Sequence, residues 1–104
     1  MFNGEVKITA QGKERVLKFG TWSTALFCES EKIPLKQMNE RLMNPGPFTQ
    51  INLVHSAAVA YCDLNKMEVD FKLQDVSIWI DEVGETEMAE KIVDAMKTYG
   101  TPKN

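Results

Sequence analysis

The segment 48–64, "FTQINLVHSAAVAYCDL", is apolar on two sides at helical spacing. Ile51, Val54, Ala58, Tyr61 and Cys62 form one stripe, and Leu53, Ala57, Ala60 and Leu64 form a second. A helix with two apolar stripes must be covered on most of its surface. The pattern therefore predicts a central helix with other elements packed around it, and the alanines allow close approach. Thr49 is its expected cap.

The rest of the chain supplies the cover. "GEVKITAQGKERVLKFG" alternates apolar and polar residues on either side of Gln11-Gly12 and predicts a β-hairpin over about 4–19. With the turn at Gln11-Gly12, Ala10 faces Lys13 and Val6 faces Leu17. That register gathers Val6, Ile8, Leu17 and Phe19 on one face. A lone hairpin is marginal, so this face must rest on helices.

"TWSTALFCESEK" predicts a helix over 22–32, with Thr21 as cap and Trp22, Ala25, Leu26 and Glu29 on one side beside Cys28. Pro34 stops it and suits the first turn of a helix over 35–43, with Leu35, Met38 and Leu42 at i, i+3, i+7. "NPGP" at 44–47 is a firm break. Val76, Trp79, Ile80 and Val83 predict a helix over 74–83, closed by Gly84. Met88, Ile92, Ala95, Met96 and Tyr99 predict a last helix over 86–99, with Thr86 as cap and Gly100 and Pro102 at its end. The expected fold class is α+β and mostly helical: one domain over 1–104, an N-terminal β-hairpin followed by about five helices around the central one.

Residues 65–72, "NKMEVDFK", change period. Met67, Val69 and Phe71 alternate with Glu68, Asp70 and Lys72, as in a short strand or an extended connection. Read as a connection near the surface, it offers Met67, Val69 and Phe71 to a partner.

Little in the sequence points to reaction chemistry. The one histidine, His55, lies within the apolar helix beside Val54, where a structural role is expected. There is no GxSxG and no phosphate loop, and the glycines are isolated. "DEVGETE" lacks calcium-loop spacing, and Cys28 and Cys62 are too far apart for a CxxC site, so neither a metal nor a cofactor is expected. Both cysteines sit among apolar neighbours and are expected as buried free thiols. No stretch approaches the ~20 apolar residues of a membrane span. The N-terminus lacks a signal pattern, so a reduced, cytoplasmic setting is expected.

The net charge is −3, which disfavours binding to nucleic acid. The excess is uneven: residues 1–52 carry seven Lys/Arg against five Asp/Glu, whereas 53–104 carry five Lys against ten Asp/Glu. Most carboxylates of 75–94 avoid the apolar stripes and read as a solvated face. Asp81, Glu82 and Glu85 are the candidates there for contact with a basic partner.

The order of elements adds a resemblance. "NGEVKITAQGKERVLKFGTWSTALFCE" is a hairpin running through K-F-G into a helix; "LVHSAAVAYCD" and "VSIWIDEVGETEMAEKIVDAM" follow. Together they resemble the tail assembly chaperones of long-tailed bacteriophages and prophages, which often carry a W-I-D-e helix near the C-terminus. Val76, Trp79, Ile80, Asp81 and Glu82 match it here. The helix after Phe71 opens with "KLQD", without the Ser or Thr cap expected.

The resemblance implies a non-enzymatic protein of the host cytoplasm, absent from the mature virion. Its implied partners are the tape-measure protein, which it would keep soluble, and the tail-tube protein that polymerises around that client. Release of the client implies modest affinity per contact, made up by self-association as a homo-oligomer or by many copies along the client. The alternative is a protein-binding adaptor or regulatory module from a mobile element.

Overall fold

The structure, a computed structural model, describes the backbone of residues 4–100 and the side chains of residues 4–96. Strands β1 (Glu5–Ala10) and β2 (Lys13–Lys18) form an antiparallel hairpin. Five helices follow: α1 (Thr21–Glu31), α2 (Met38–Met43), α3 (Thr49–Leu64), α4 (Leu73–Val83) and α5 (Glu85–Gly100). A single 3₁₀ turn, Leu35–Gln37, leads into α2. The fold is α+β and mostly helical, as the periodicity predicts.

The hairpin has the expected register, with Val6 opposite Leu17 and Ala10 opposite Lys13. Gln11 and Gly12 both have positive φ, 54° and 72°. That is the backbone of the two-residue turns whose twist matches antiparallel strands, and Gln11 accepts the conformation as well as Gly12. At the open end, Phe19 N–H donates to Gly4 O at 2.7 Å. A Cβ on Gly4 would lie 1.9 Å from Phe19 O, so glycine is required there by both space and a φ of +75°.

Helix α3 is central. It packs against α1, β2 and α4. Leu53, Val54, Ala57, Ala58, Ala60 and Cys62 are buried along it. Leu17, Phe19, Phe27, Val76, Trp79, Met88 and Ile92 close over it from the neighbouring elements. Each such large side chain contributes roughly 1.5–3 kcal/mol on full burial. Cys28 and Cys62 are free thiols, and burial raises both of their pKa values.

Several local expectations are corrected. Helix α1 buries Ser23 and Phe27, while Trp22 and Ala25 face solvent. Trp22 instead donates its indole N–H to Asp63 Oδ2 at 2.7 Å, a polar tip that an aromatic ring at the surface can satisfy. Gly20, not Thr21, precedes the first turn, and Ser23 Oγ accepts from Gly20 N–H at 2.8 Å. Leu35 is exposed because it opens the 3₁₀ turn and so falls outside the α-helical period of Met38 and Leu42. Thr49 starts α3 and is buried, its Oγ1 accepting from Gly46 N–H at 2.8 Å. Helix α5 begins at Glu85, one residue before Thr86. The Tyr99 side chain and Pro102 lie outside the described residues.

Helix α4 starts at Leu73 without a Ser or Thr cap. Asp75, at the third helical position, accepts the Lys72 N–H at 2.8 Å, which is the acidic half of a capping box without the Ser or Thr half.

Candidate partner-binding surface

The connection 65–72 leaves α3 through Lys66, at a φ of 56°, with Met67 N–H donating to Cys62 O at 2.9 Å. It then runs to α4 without joining the sheet, whose strand order among the described residues is β1-β2. The apolar residues of this connection do not share a face. Met67 and Val69 are 53% and 44% exposed, whereas Phe71 is only 8% exposed and belongs to the core.

What turns Phe71 inward is visible around it. Its ring meets Trp79 edge-on at 5.1 Å and His55 edge-on at 5.7 Å. The Arg15 guanidinium lies 4.7 Å from the Trp79 ring centre and 5.8 Å from that of Phe71. Asp70 next door accepts from Lys13 Nζ at 2.6 Å and from Arg15 at 3.0 Å. These two hydrogen bonds hold the Asp70 carboxyl below its usual pKa. The extended stretch is therefore pinned to β2 through Asp70, and Phe71 is the residue left facing the core. As an exposed contact for a partner, Phe71 is corrected to a structural residue.

Glu82 is engaged as well. The hairpin turn docks on α4 through Gln11: its N–H donates to Glu82 Oε1 at 2.9 Å, and its Nε2 donates to Asp75 Oδ1 at 3.2 Å. Its Oε1 accepts the Trp79 indole N–H at 2.9 Å. Backbone and side-chain donors on Asp75, from Lys72 and then Gln11, lower its pKa. Glu82 thus closes the hairpin onto the helix.

Asp81 and Glu85 face the opposite side. They lie on the rim of a groove of about 630 Å³ between α3, α4, α5 and the loop at 45–47. Its floor is apolar: Ile51, Leu53, Ile80, Ile92 and Met96. Its rim residues Pro45, Pro47, Asp81, Glu85, Ala89 and Val93 are solvent-exposed, so the groove opens outward. Neither Asp81 nor Glu85 is paired with a cation among the described residues. A second hollow, of about 590 Å³, lies between Phe19, α1 and α2 and meets the first at Leu53 and Met96.

Of the six candidates, the structure sets Asp81 and Glu85 together at the groove. Met67 and Val69 lie on the connection, and Glu82 and Phe71 are part of the fold. The groove-lining Ile51, Leu53, Ile92 and Met96 were read from sequence as packing stripes and not as a binding surface. The signal for such a surface was Ala89 and Val93, which widen the apolar stripe of α5 beyond what packing uses; Val93 is 54% exposed.

His55 is half-buried against Phe71, and burial lowers its pKa. It lies outside the groove lining. Among the described residues no cluster of three or more His, Cys, Asp or Glu is placed to hold a metal ion. No helix among them is long and apolar enough to cross a membrane. Comparison with protein-family models, curated proteins and solved structures returned no match.

Proposed function

We propose that this protein is a non-enzymatic tail assembly chaperone of a long-tailed phage or prophage. In this reading it acts in the host cytoplasm, binds the tape-measure protein and keeps it soluble until tail-tube subunits polymerise around it. The observation that supports the reading is the groove between α3, α4 and α5. An amphipathic helix lays its apolar face into such a groove by residues at i, i+3, i+4 and i+7. From Glu85 to Met96 the groove follows α5 over eleven steps, about 16 Å or three helical turns. Carboxylates beyond the groove lining, such as Glu90, stay hydrated in the complex and carry charge that keeps client and chaperone in solution. The sequence resemblance supplies the identity of the client.

Co-expression with the tape-measure protein tests the proposal. The client is expected in the soluble fraction, co-purifying with this chain, and to return to the pellet with a Val93→Glu variant. If its solubility is the same with and without this chain, the chaperone reading is wrong.

A further inference from the structure

We infer that the groove selects amphipathic helices whose apolar face is bordered by Lys or Arg. This rests on the reading of the groove as the client site and adds the chemistry of the segment it takes.

The argument is one of charge around an apolar floor. Among the described residues that line the groove there is no Lys, Arg or His; its charged members are Asp81 and Glu85. Beyond Val93 the outer flank of α5 continues with Glu90 and Asp94, which border a shallow hollow with Thr86 and Ala89. Lys91 is the one cation among the described side chains of α5, and its Nζ lies 3.9 Å from Glu87 Oε2. The loop residues that line the groove, Pro45, Gly46 and Pro47, carry no charge. A bound helix therefore meets an apolar floor, one neutral wall and one acidic wall.

A helix bordered by carboxylates would set like charges against Asp81 and Glu85. A neutral helix would leave both without a counter-charge. Lys or Arg beside the apolar face pairs with them, and each exposed pair adds up to about fivefold in affinity. Two such pairs give about tenfold discrimination between a basic and an acidic border, with faster association at low salt. One-sided acidity also fixes direction. A helix with cations along a single border of its apolar face fits in one N-to-C direction along the groove.

The test is fluorescence anisotropy on the full chain with labelled designed peptides of about 20 residues, long enough to form a helix. One peptide has a Leu/Ile face bordered by Lys. The second has the same face bordered by Glu. The third has the Lys content of the first with the apolar residues scrambled. The Lys-bordered helix is expected to bind about tenfold more tightly than the Glu-bordered one, a gap that shrinks at about 0.5 M salt. The scrambled peptide is expected to lose binding. The Asp81→Lys, Glu85→Lys double variant should invert the preference, and Val93→Glu should weaken both helices while circular dichroism stays unchanged. Equal binding of Lys- and Glu-bordered helices overturns the inference. So does binding of the scrambled peptide as tightly as the ordered one, or no binding of any peptide to folded protein. A self-dimer lost on Val93→Glu also overturns it, because a second copy then fills the groove. The peptide preference holding while the tape-measure protein stays insoluble would sink the chaperone role and leave the groove chemistry standing.

Discussion

The indole N–H of Trp79 donates to the side-chain oxygen of Gln11 at 2.9 Å, joining residues 68 positions apart. The same glutamine reaches Glu82 and Asp75, so one turn residue fastens the hairpin to α4. Trp79→Phe keeps most of the ring and removes the donor. The expected loss is about 1–2 kcal/mol in a urea titration, with Trp79→Ala losing about 3–5 kcal/mol. An unchanged midpoint for Trp79→Phe would mean that packing alone anchors the hairpin.

Glu31 is nearly buried and draws α1, α2 and α3 together. It accepts from Arg41, from Asn52 Nδ2 at 2.6 Å and from Thr49 Oγ1 at 3.5 Å. Burial pushes the Glu31 carboxyl up, and the bonds from Asn52, Arg41 and Thr49, with the Arg41 charge, override it and leave its pKa below the usual value. Arg41→Ala strands that carboxylate and is expected to cost about 3 kcal/mol. Glu31→Gln in the same background should recover part of the loss. Strict additivity of the two substitutions would show that they do not interact.

His55 gives the protein a pH dependence with a definite sign. Its folded pKa is lowered from 6.5 by burial, so the unfolded chain takes up the proton first as pH falls. The associated stability is complete above 6.5 and is lost as pH drops from there through the folded value. Tm measured from pH 8 to pH 5 (round values on the order of the histidine range) should fall at the acid end. His55→Gln should flatten that fall. Below it, the lowered carboxyls of Asp70, Asp75 and Glu31 act in the same direction. A His55 ring titrating above 6.5 by NMR would contradict the burial.

Phe71 and Met67 come from one alternating stretch and should behave differently. Phe71→Ala opens a cavity under Arg15 and beside Trp79, with an expected loss of about 3–5 kcal/mol. Met67→Ala should stay within about 0.5 kcal/mol. Denaturant midpoints that move equally would show that the two side chains share one environment.

Ser56 offers a gain. Its hydroxyl is buried in α3 with no hydrogen-bond partner among the described residues. Ser56→Ala removes an unsatisfied group at little change in volume and is expected to stabilise by about 1 kcal/mol. A loss of stability on that substitution would reveal a partner for the hydroxyl.

The hairpin register was legible because alternation and a turn glycine fix it together: alternation excludes one-residue slips, which would turn Ile8 and Phe19 outward, and the two-residue turn excludes the others. The central helix was legible because two stripes admit one interpretation. The inner face of α1 was not. Trp22 is the largest side chain of the first turn, yet its N–H finds Asp63 at the surface. Phe71 was misplaced because alternation cannot say which member of a short stretch ends in the core. That was decided by Asp70 meeting Arg15, 55 positions away. Asp81 and Glu85 were found by their charge. The groove they border is a concavity made by three helices, which linear spacing does not encode.

The link from the hairpin turn to Glu82 spans 71 positions, so it can close only late in synthesis. A hairpin closes in about 1–10 μs, but a ribosome adds residues at about 5–20 per second. Gln11 therefore waits on the order of several seconds for α4 to emerge. In that interval the hairpin has α3 to rest on, but its turn still lacks α4 and the Arg15 side chain still lacks the Trp79 ring. A chain cut short before Trp79 keeps the hairpin against α3 but leaves its turn unfastened and the Trp79 side of the core open, so the last fastening of the N-terminal strands waits on the fourth helix.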